Sequence, residues 1–292
     1  MRPRCWSWPM NISCTSNRTA RSTALRWSSR PCPTPGGGPG TGFPVSIAAA
    51  MPRWTGRLQR PGGNMTPAPL IICFGDSLTV GYQSPTPASP DFRETPYGAF
   101  LQELLGSAAR VAVSGICGEL TGEMAMRFRP DVLQHHPAYV VVLGGTNDLG
   151  WNARPADIMR NLLKMYELAQ AGGIQPVAVT VPSIRLGMEV GEDPSTPWGA
   201  GSEGTDGQRW VAEHIERRQM LNRLISDYCT SRGVAWIDLF AATLEPRTMR
   251  LAAVYSNDGL HLSTEGYSRL AELLYQQVFA GALTRARRRS KQ

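Results

Sequence analysis

The chain has 292 residues, 42% hydrophobic and 18% charged, enough for one globular domain with a substantial core. It contains no run of eighteen or more apolar residues, so no membrane-spanning helix is expected. Its net charge of +7 is confined to two appendages: residues 1–64 hold nine basic residues and no acid, 285–291 hold five more, and 65–284 carry all 23 acids against sixteen bases. That distribution argues against a nucleic-acid partner.

Residues 1–64 are rich in Arg, Ser, Pro, Gly and Trp and show neither helix nor strand periodicity. The run Pro33-Thr34-Pro35-Gly36-Gly37-Gly38-Pro39-Gly40 suits no packed core. A disordered or non-native N-terminal extension is expected here. Three origins fit: a translated upstream region with the start at Met65, which is preferred, an Arg- and Ser-rich transit peptide, or a secretory signal. The only apolar stretch, 45–51, is short and far from the terminus.

From residue 69 the chain alternates strands and helices. Short runs rich in Val and Ile at 70–74, 111–113, 139–143, 177–181 and 234–237 lack polar alternation, as expected of parallel strands covered on both faces. Helical segments are expected at 97–105, 119–134, 155–171, 208–231 and 264–279. Pro155 suits a first helical turn, Gly172-Gly173 a stop, and Ser263-Thr264-Glu265 a start. Loops are expected at 83–95, with three prolines, and at 184–208, both long enough to act as lids. A basic tail, 285–292, ends the chain. Five β–α units spanning 65–284 imply one α/β domain, an open doubly wound parallel sheet between helix layers.

Ligands in such sheets bind outside the carboxyl ends of the strands, and four polar clusters stand at those ends or before the last helix. They are Gly75-Asp76-Ser77-Leu78-Thr79, Ser114-Gly115-Ile116-Cys117-Gly118, Gly144-Gly145-Thr146-Asn147-Asp148 and Asp258-Gly259-Leu260-His261. Acyl transfer by a serine needs a base, a group that orients the base, and donors for the oxyanion. Ser77 follows the first strand and would stand exposed at the top of the sheet. Asp258 and His261 are three apart, so one turn can bring carboxylate and imidazole together. The N–H groups of Ser77 and Gly115 and the side-chain amide of Asn147 are candidate oxyanion donors.

Taken singly these signals are weak: Ser77 also suits a helix N-cap, and Asn147 or Asp258 a turn. Their order along the chain is the strong evidence. In these four blocks the sequence resembles the GDSL, or SGNH, family of esterases and lipases, through Gly75-Asp76-Ser77-Leu78, Gly115 and Gly118, Gly144-Gly145-Thr146-Asn147-Asp148, and Asp258-Gly259-Leu260-His261. The resemblance covers about 69–280. It implies a three-layer α/β/α, flavodoxin-like fold, a Ser77–His261–Asp258 triad, and an oxyanion hole of Ser77, Gly115 and Asn147. One departure stands out: Val113 occupies a position where many members carry Asn.

The function expected is hydrolysis of small carboxylic esters, with short acyl chains, through an acyl-enzyme. A thioesterase, a lysophospholipase or a carbohydrate O-deacetylase is the alternative, and a silent binding module or a flavin or phosphate binder is a more distant one. No cofactor is expected. No metal site is expected either, because Cys73, Cys117 and Cys229 stand alone at wide spacing; that usage favours a reducing compartment, a cytoplasmic location with secretion as the alternative. His135 and His136 read as helix C-terminal residues, His214 as solvated on a charged helix, and Trp151 as a possible wall of the acyl pocket.

Overall fold

Five apolar runs form the central sheet of the computed structural model: β1 (Leu70–Gly75), β2 (Arg110–Gly115), β3 (Tyr139–Leu143), β4 (Gln175–Val179) and β5 (Ala235–Ile237). All run parallel, in the order β2-β1-β3-β4-β5, and a two-residue strand, Leu25–Arg26, pairs with Ala112 and Val113 along the other edge of β2. Besides that pair, the structure describes residues 68–185 and 205–282. The remaining expectations for 1–64, for most of the loop 184–208 and for the tail 285–292 fall outside the described residues.

Successive strand side chains point to opposite faces, and each face has its own core. Ile71, Cys73, Val111, Val141, Leu143, Val177 and Val179 pack with α2 (Tyr97–Leu105) and α8 (Thr264–Leu274), through Tyr97, Leu101, Tyr267 and Leu270. On the other face Ile72, Phe74, Ala112, Val140, Val142 and Ala178 meet α3 (Thr121–Asp131), α5 (Pro155–Ala171) and α6 (Thr205–Arg232), through Met124, Phe128, Leu162, Tyr166 and Leu221. Each large apolar side chain so buried contributes about 1.5–3 kcal/mol. The expected three-layer α/β/α architecture with a five-stranded parallel sheet is present.

Several boundaries move for identifiable reasons. The helix expected at 119–134 begins at Thr121, whose N–H is held by the Asp148 carboxylate at 3.0 Å, and ends at Asp131, directly after Pro130. A 3₁₀ turn, Leu133–His135, follows, and His136 adopts a left-handed φ of 46°. The segment 264–279 is α8 continued by a π turn, Tyr275–Phe279. His214, expected in solvent, is instead buried, with neither ring nitrogen hydrogen bonded among the described residues and its ring 3.9 Å from that of Trp210. The charged pattern of α6 hid its inward face: Val211 and Ile215 pack with Ile184 and Phe240 in a small third core. Burial, then the charges of Arg218 and Arg217, lower the His214 pKa to about 4.

The strand order reverses direction at β1, with β2 on one side and β3 on the other, which opens the crevice where such sheets hold ligands. Here the chain turns from β1 into the short helix α1 (Ser77–Val80). Asp76 caps it, accepting the Leu78 N–H at 2.9 Å, and Gly81 closes it at φ 82°. The fit is tight. A Cβ on Gly115 would lie 2.7 Å from the Val80 nitrogen and 2.9 Å from the Asp76 oxygen, and one on Gly75 would lie 2.1 Å from the Leu143 oxygen.

Asp76 is fully buried and its Oδ2 has no hydrogen-bond partner among the described residues. Burial pushes its pKa up to about 7, against the opposing pull of the Leu78 N–H and of His261. The folded state therefore holds a proton that the unfolded chain releases near 3.8. This contribution to stability is present below that pH and is lost as pH rises towards 7. Asp76→Asn keeps the acceptor for Leu78, so its melting temperature should fall less between pH 4 and 7 than that of the wild type; an equal fall would contradict the assignment. Gly115→Ala should destabilise by about 1–3 kcal/mol, because its methyl meets backbone rather than a movable side chain. An unchanged urea midpoint would show that α1 can give way.

Candidate active site

Ser77 is the first residue of α1, so its N–H has no acceptor within the helix. Its hydroxyl reaches across the crevice to the loop before α8. Ser77 Oγ lies 3.2 Å from His261 Nε2, and His261 Nδ1 lies 2.7 Å from Asp258 Oδ2. With Nδ1 protonated, the ring donates to the carboxylate and Nε2 is free to accept the Ser77 proton. The three residues expected to act together are thus joined in one hydrogen-bonded chain.

The loop that carries the pair is self-templating. Asp258 Oδ1 accepts the backbone N–H groups of Leu260 at 2.9 Å and His261 at 2.7 Å, folding the chain around its own carboxylate. Gly259 at φ 78° permits the turn, and Ser256 Oγ accepts the Gly259 N–H while donating to the His261 carbonyl at 2.6 Å. Burial alone would raise the Asp258 pKa. The hydrogen bond and charge of His261, then the Ser84 hydroxyl and the Leu260 N–H, outweigh it and hold the carboxyl well below the usual range. Asp258 is therefore ionised at neutral pH.

A second segment, not expected from the sequence, braces this pair. Ser84 Oγ donates to Asp258 Oδ2 at 2.5 Å. Gln83 is buried and joins Thr95, Thr264 and Asn257, at 2.6, 3.0 and 3.3 Å. The Tyr82 ring meets the imidazole edge to face at 4.6 Å, and its carbonyl accepts the Tyr267 hydroxyl at 2.8 Å. Part of the expected 83–95 loop thus forms a small antiparallel pair, Tyr82–Gln83 with Arg93–Glu94, packed behind the base. Ser84 stands among the prolines of that loop, and nothing local marked its partner.

The candidate donors differ in their surroundings. Asn147 lies in α4 (Thr146–Gly150), and its Nδ2 donates one hydrogen to the Glu119 carbonyl at 3.0 Å, leaving the second available. Asp148 fixes α4 by accepting the N–H and hydroxyl of Thr121. Gly115 closes β2 and is buried against α1. In the turn that follows, the Glu119 N–H bonds the Ile116 carbonyl at 3.3 Å, and Gly118, three residues after Gly115, occupies the third turn position at φ 76°. Gly118 is exposed, with open space on its Cβ side. Trp151, four residues after Asn147, is 78% exposed. Among the described residues no cluster of His, Cys, Asp and Glu is arranged to hold a metal ion, and no helix is long and apolar enough to cross a membrane.

Residues 73–269 match the model of the GDSL-like Lipase/Acylhydrolase family. An uncharacterized lipoprotein of Bacillus subtilis is 30% identical over 125 residues, 39% of this chain and 49% of that protein, so the chain spans about half the length of this relative. A GDSL-like lipase from Bacteroides thetaiotaomicron shares the fold with a TM-score of 0.54 and 21% identity, over 74% of this chain and 88% of its own. A lipase/acylhydrolase from Enterococcus faecalis gives 0.55 and 23%, over 73% and 96%. A catalytic mutant of an acetylxylan esterase from Geobacillus stearothermophilus gives 0.52 and 17%, over 73% and 95%. The family match covers more than half of the sequence and takes in the strand ends and the loop described above, and the chain belongs to the GDSL-like lipase/acylhydrolase family.

Proposed function

We propose that the chain hydrolyses small carboxylic esters with short acyl groups, using Ser77 as nucleophile, His261 as general base and acid, and Asp258 as the group that orients the imidazole. The observation that carries this reading is the unbroken chain from Ser77 Oγ to His261 Nε2, 3.2 Å, and from His261 Nδ1 to Asp258 Oδ2, 2.7 Å. His261 takes the hydroxyl proton as Oγ attacks the ester carbonyl. The C=O electron pair moves onto oxygen, and the ionised Asp258 stabilises the imidazolium. Collapse of the tetrahedral intermediate expels the alcohol, which leaves with the proton from His261. Water then repeats the sequence on the acyl-enzyme.

Developing negative charge is met by the Ser77 N–H, by the second hydrogen of Asn147 Nδ2, and by an amide of the second block. The sequence suggests Gly115 for that last role. The exposure of Gly118 and the open space beside it favour Gly118 for that role, and the tight packing of Gly115 against α1 suits a spacer. The hydrolase domain in this reading is 65–284, with 1–64 and 285–292 as appendages. A carbohydrate O-deacetylase is the second reading, favoured by the acetylxylan esterase among the structural neighbours. The lipoprotein among the relatives supports an exported or surface location as the alternative to a cytoplasmic one.

Ser77→Ala should lower kcat on p-nitrophenyl acetate by about three orders of magnitude or more while the protein stays folded. Wild-type turnover in that variant would overturn the assignment. Loss of the Ser84 hydroxyl removes a hydrogen bond to a partly buried anion, so Ser84→Ala should cost about tenfold in kcat with KM little changed. A change confined to KM would place Ser84 in substrate binding instead. Rates on esters of rising acyl length, run beside a thioester and an acetylated xylo-oligosaccharide, test the substrate class. The short ester should lead, and a preference for the sugar acetate would select the second reading.

A further inference from the structure

The proposed oxyanion donors come from three separate strand ends, and only Asn147 is a side chain. Their mutual placement must hold to within a few tenths of an ångström to be useful. One side chain bonds two of these segments directly and reaches the third through Glu119. Arg127, from the middle of α3, donates from Nη2 to the Gly75 carbonyl at 3.0 Å, two residues before Ser77. Its Nε and Nη2 grip the Glu119 carboxylate in a fork, with contacts of 2.6, 2.9 and 2.6 Å, one residue after Gly118. The carbonyl of that same Glu119 accepts Asn147 Nδ2 at 3.0 Å. The guanidinium also donates from Nη1 to Ser114 Oγ at 2.7 Å and to Asp131 at 2.8 Å, and it stacks 4.1 Å above the Phe74 ring, which fixes its plane.

The cluster is largely dry: the side chains of Arg127 and Glu119 are 13% and 6% exposed. Burial raises the Glu119 pKa, and the hydrogen bonds and charge of Arg127 oppose that rise. A buried ion pair of this kind adds little net stability over a well-packed apolar substitute, because desolvation offsets the attraction. What an apolar substitute lacks is the planar fork with its fixed directions. We infer that Arg127 is a positioning residue of the oxyanion hole, setting the Ser77 turn, the Gly118 amide and the Asn147 side chain at one mutual spacing through Gly75 and Glu119. This rests on the reading of Ser77 as nucleophile. Arg127 touches no reacting atom and acts through its neighbours.

The test is a double-mutant cycle on the full chain with p-nitrophenyl acetate. Arg127→Lys keeps the charge and loses the fork, Glu119→Gln weakens the partner, and each is made alone and in an Asn147→Ala background. Arg127→Lys should lower kcat about 10²-fold, the scale of a small misplacement at a reacting centre, with KM within about twofold. In the Asn147→Ala background the same change should cost clearly less, about tenfold, because one of the three placements it serves is already lost. Glu119→Gln should show the same pattern at smaller size, and it keeps the test alive if Arg127→Lys folds poorly by melting temperature. Equal losses in both backgrounds, or an unchanged kcat, would overturn the inference and leave Arg127 a purely structural ion pair. Ser77→Ala, assayed in parallel, separates the two levels. If it is inactive while the losses are additive, only the role of Arg127 fails; if it keeps wild-type rates, the nucleophile assignment fails, and this inference with it.

Discussion

Room at the end of two strands is the constraint on which the rest of the structure depends. Gly75 and Gly115 lie side by side in register, and no side chain larger than hydrogen fits at either. Their bareness lets α1 descend onto the sheet, which sets Ser77 at the reversal point of the strand order rather than above it. A helix of four residues has little stability of its own. It persists because Asp76 caps one end, Gly81 closes the other, and Leu78 is anchored in the core. The same descent buries the Asp76 carboxyl and explains why a residue adjoining the nucleophile favours its neutral form.

The acid–base pair meets Ser77 from a distant part of the chain, and its precision is local. Asp258 spends one oxygen on its own loop and the other on His261 and Ser84, so the carboxylate is held before any substrate arrives. Tyr82 and Gln83, directly after α1, then tie this loop to the nucleophile's own segment. Two pieces of chain more than 170 residues apart are thereby made one rigid surface. That rigidity is what acyl transfer requires, since donors and base must already be in place when charge develops.

Much of this was legible in the sequence, for physical reasons that also mark its limits. Strands covered on both faces leave unbroken Val and Ile runs, so β1 and β3 were read to within a residue. Pro155 and Gly172 bounded α5 because one suits a first turn and the other a stop. Ser77, Asp258 and His261 could be singled out because each stands where a strand ends or a helix begins. Contacts between segments were not readable. Ser84 and Arg127 look like an ordinary loop serine and one charge on an amphipathic helix until folding brings Asp258 and Gly75 beside them. His214 misled because the charges around it mark the outer face of α6, while its own position follows Val211 and Ile215 inward. The choice between Gly115 and Gly118 turns on backbone conformation, which residue type alone does not report.

The central claim is that one serine, Ser77, carries the covalent chemistry. The direct measurement is mass spectrometry of the full chain after treatment with a fluorophosphonate, with the adduct mapped by peptide. The account predicts a single stoichiometric adduct on the peptide containing Ser77, lost in His261→Ala because the base that activates the hydroxyl is gone. An unmodified protein, or an adduct on another serine such as Ser84, would contradict it.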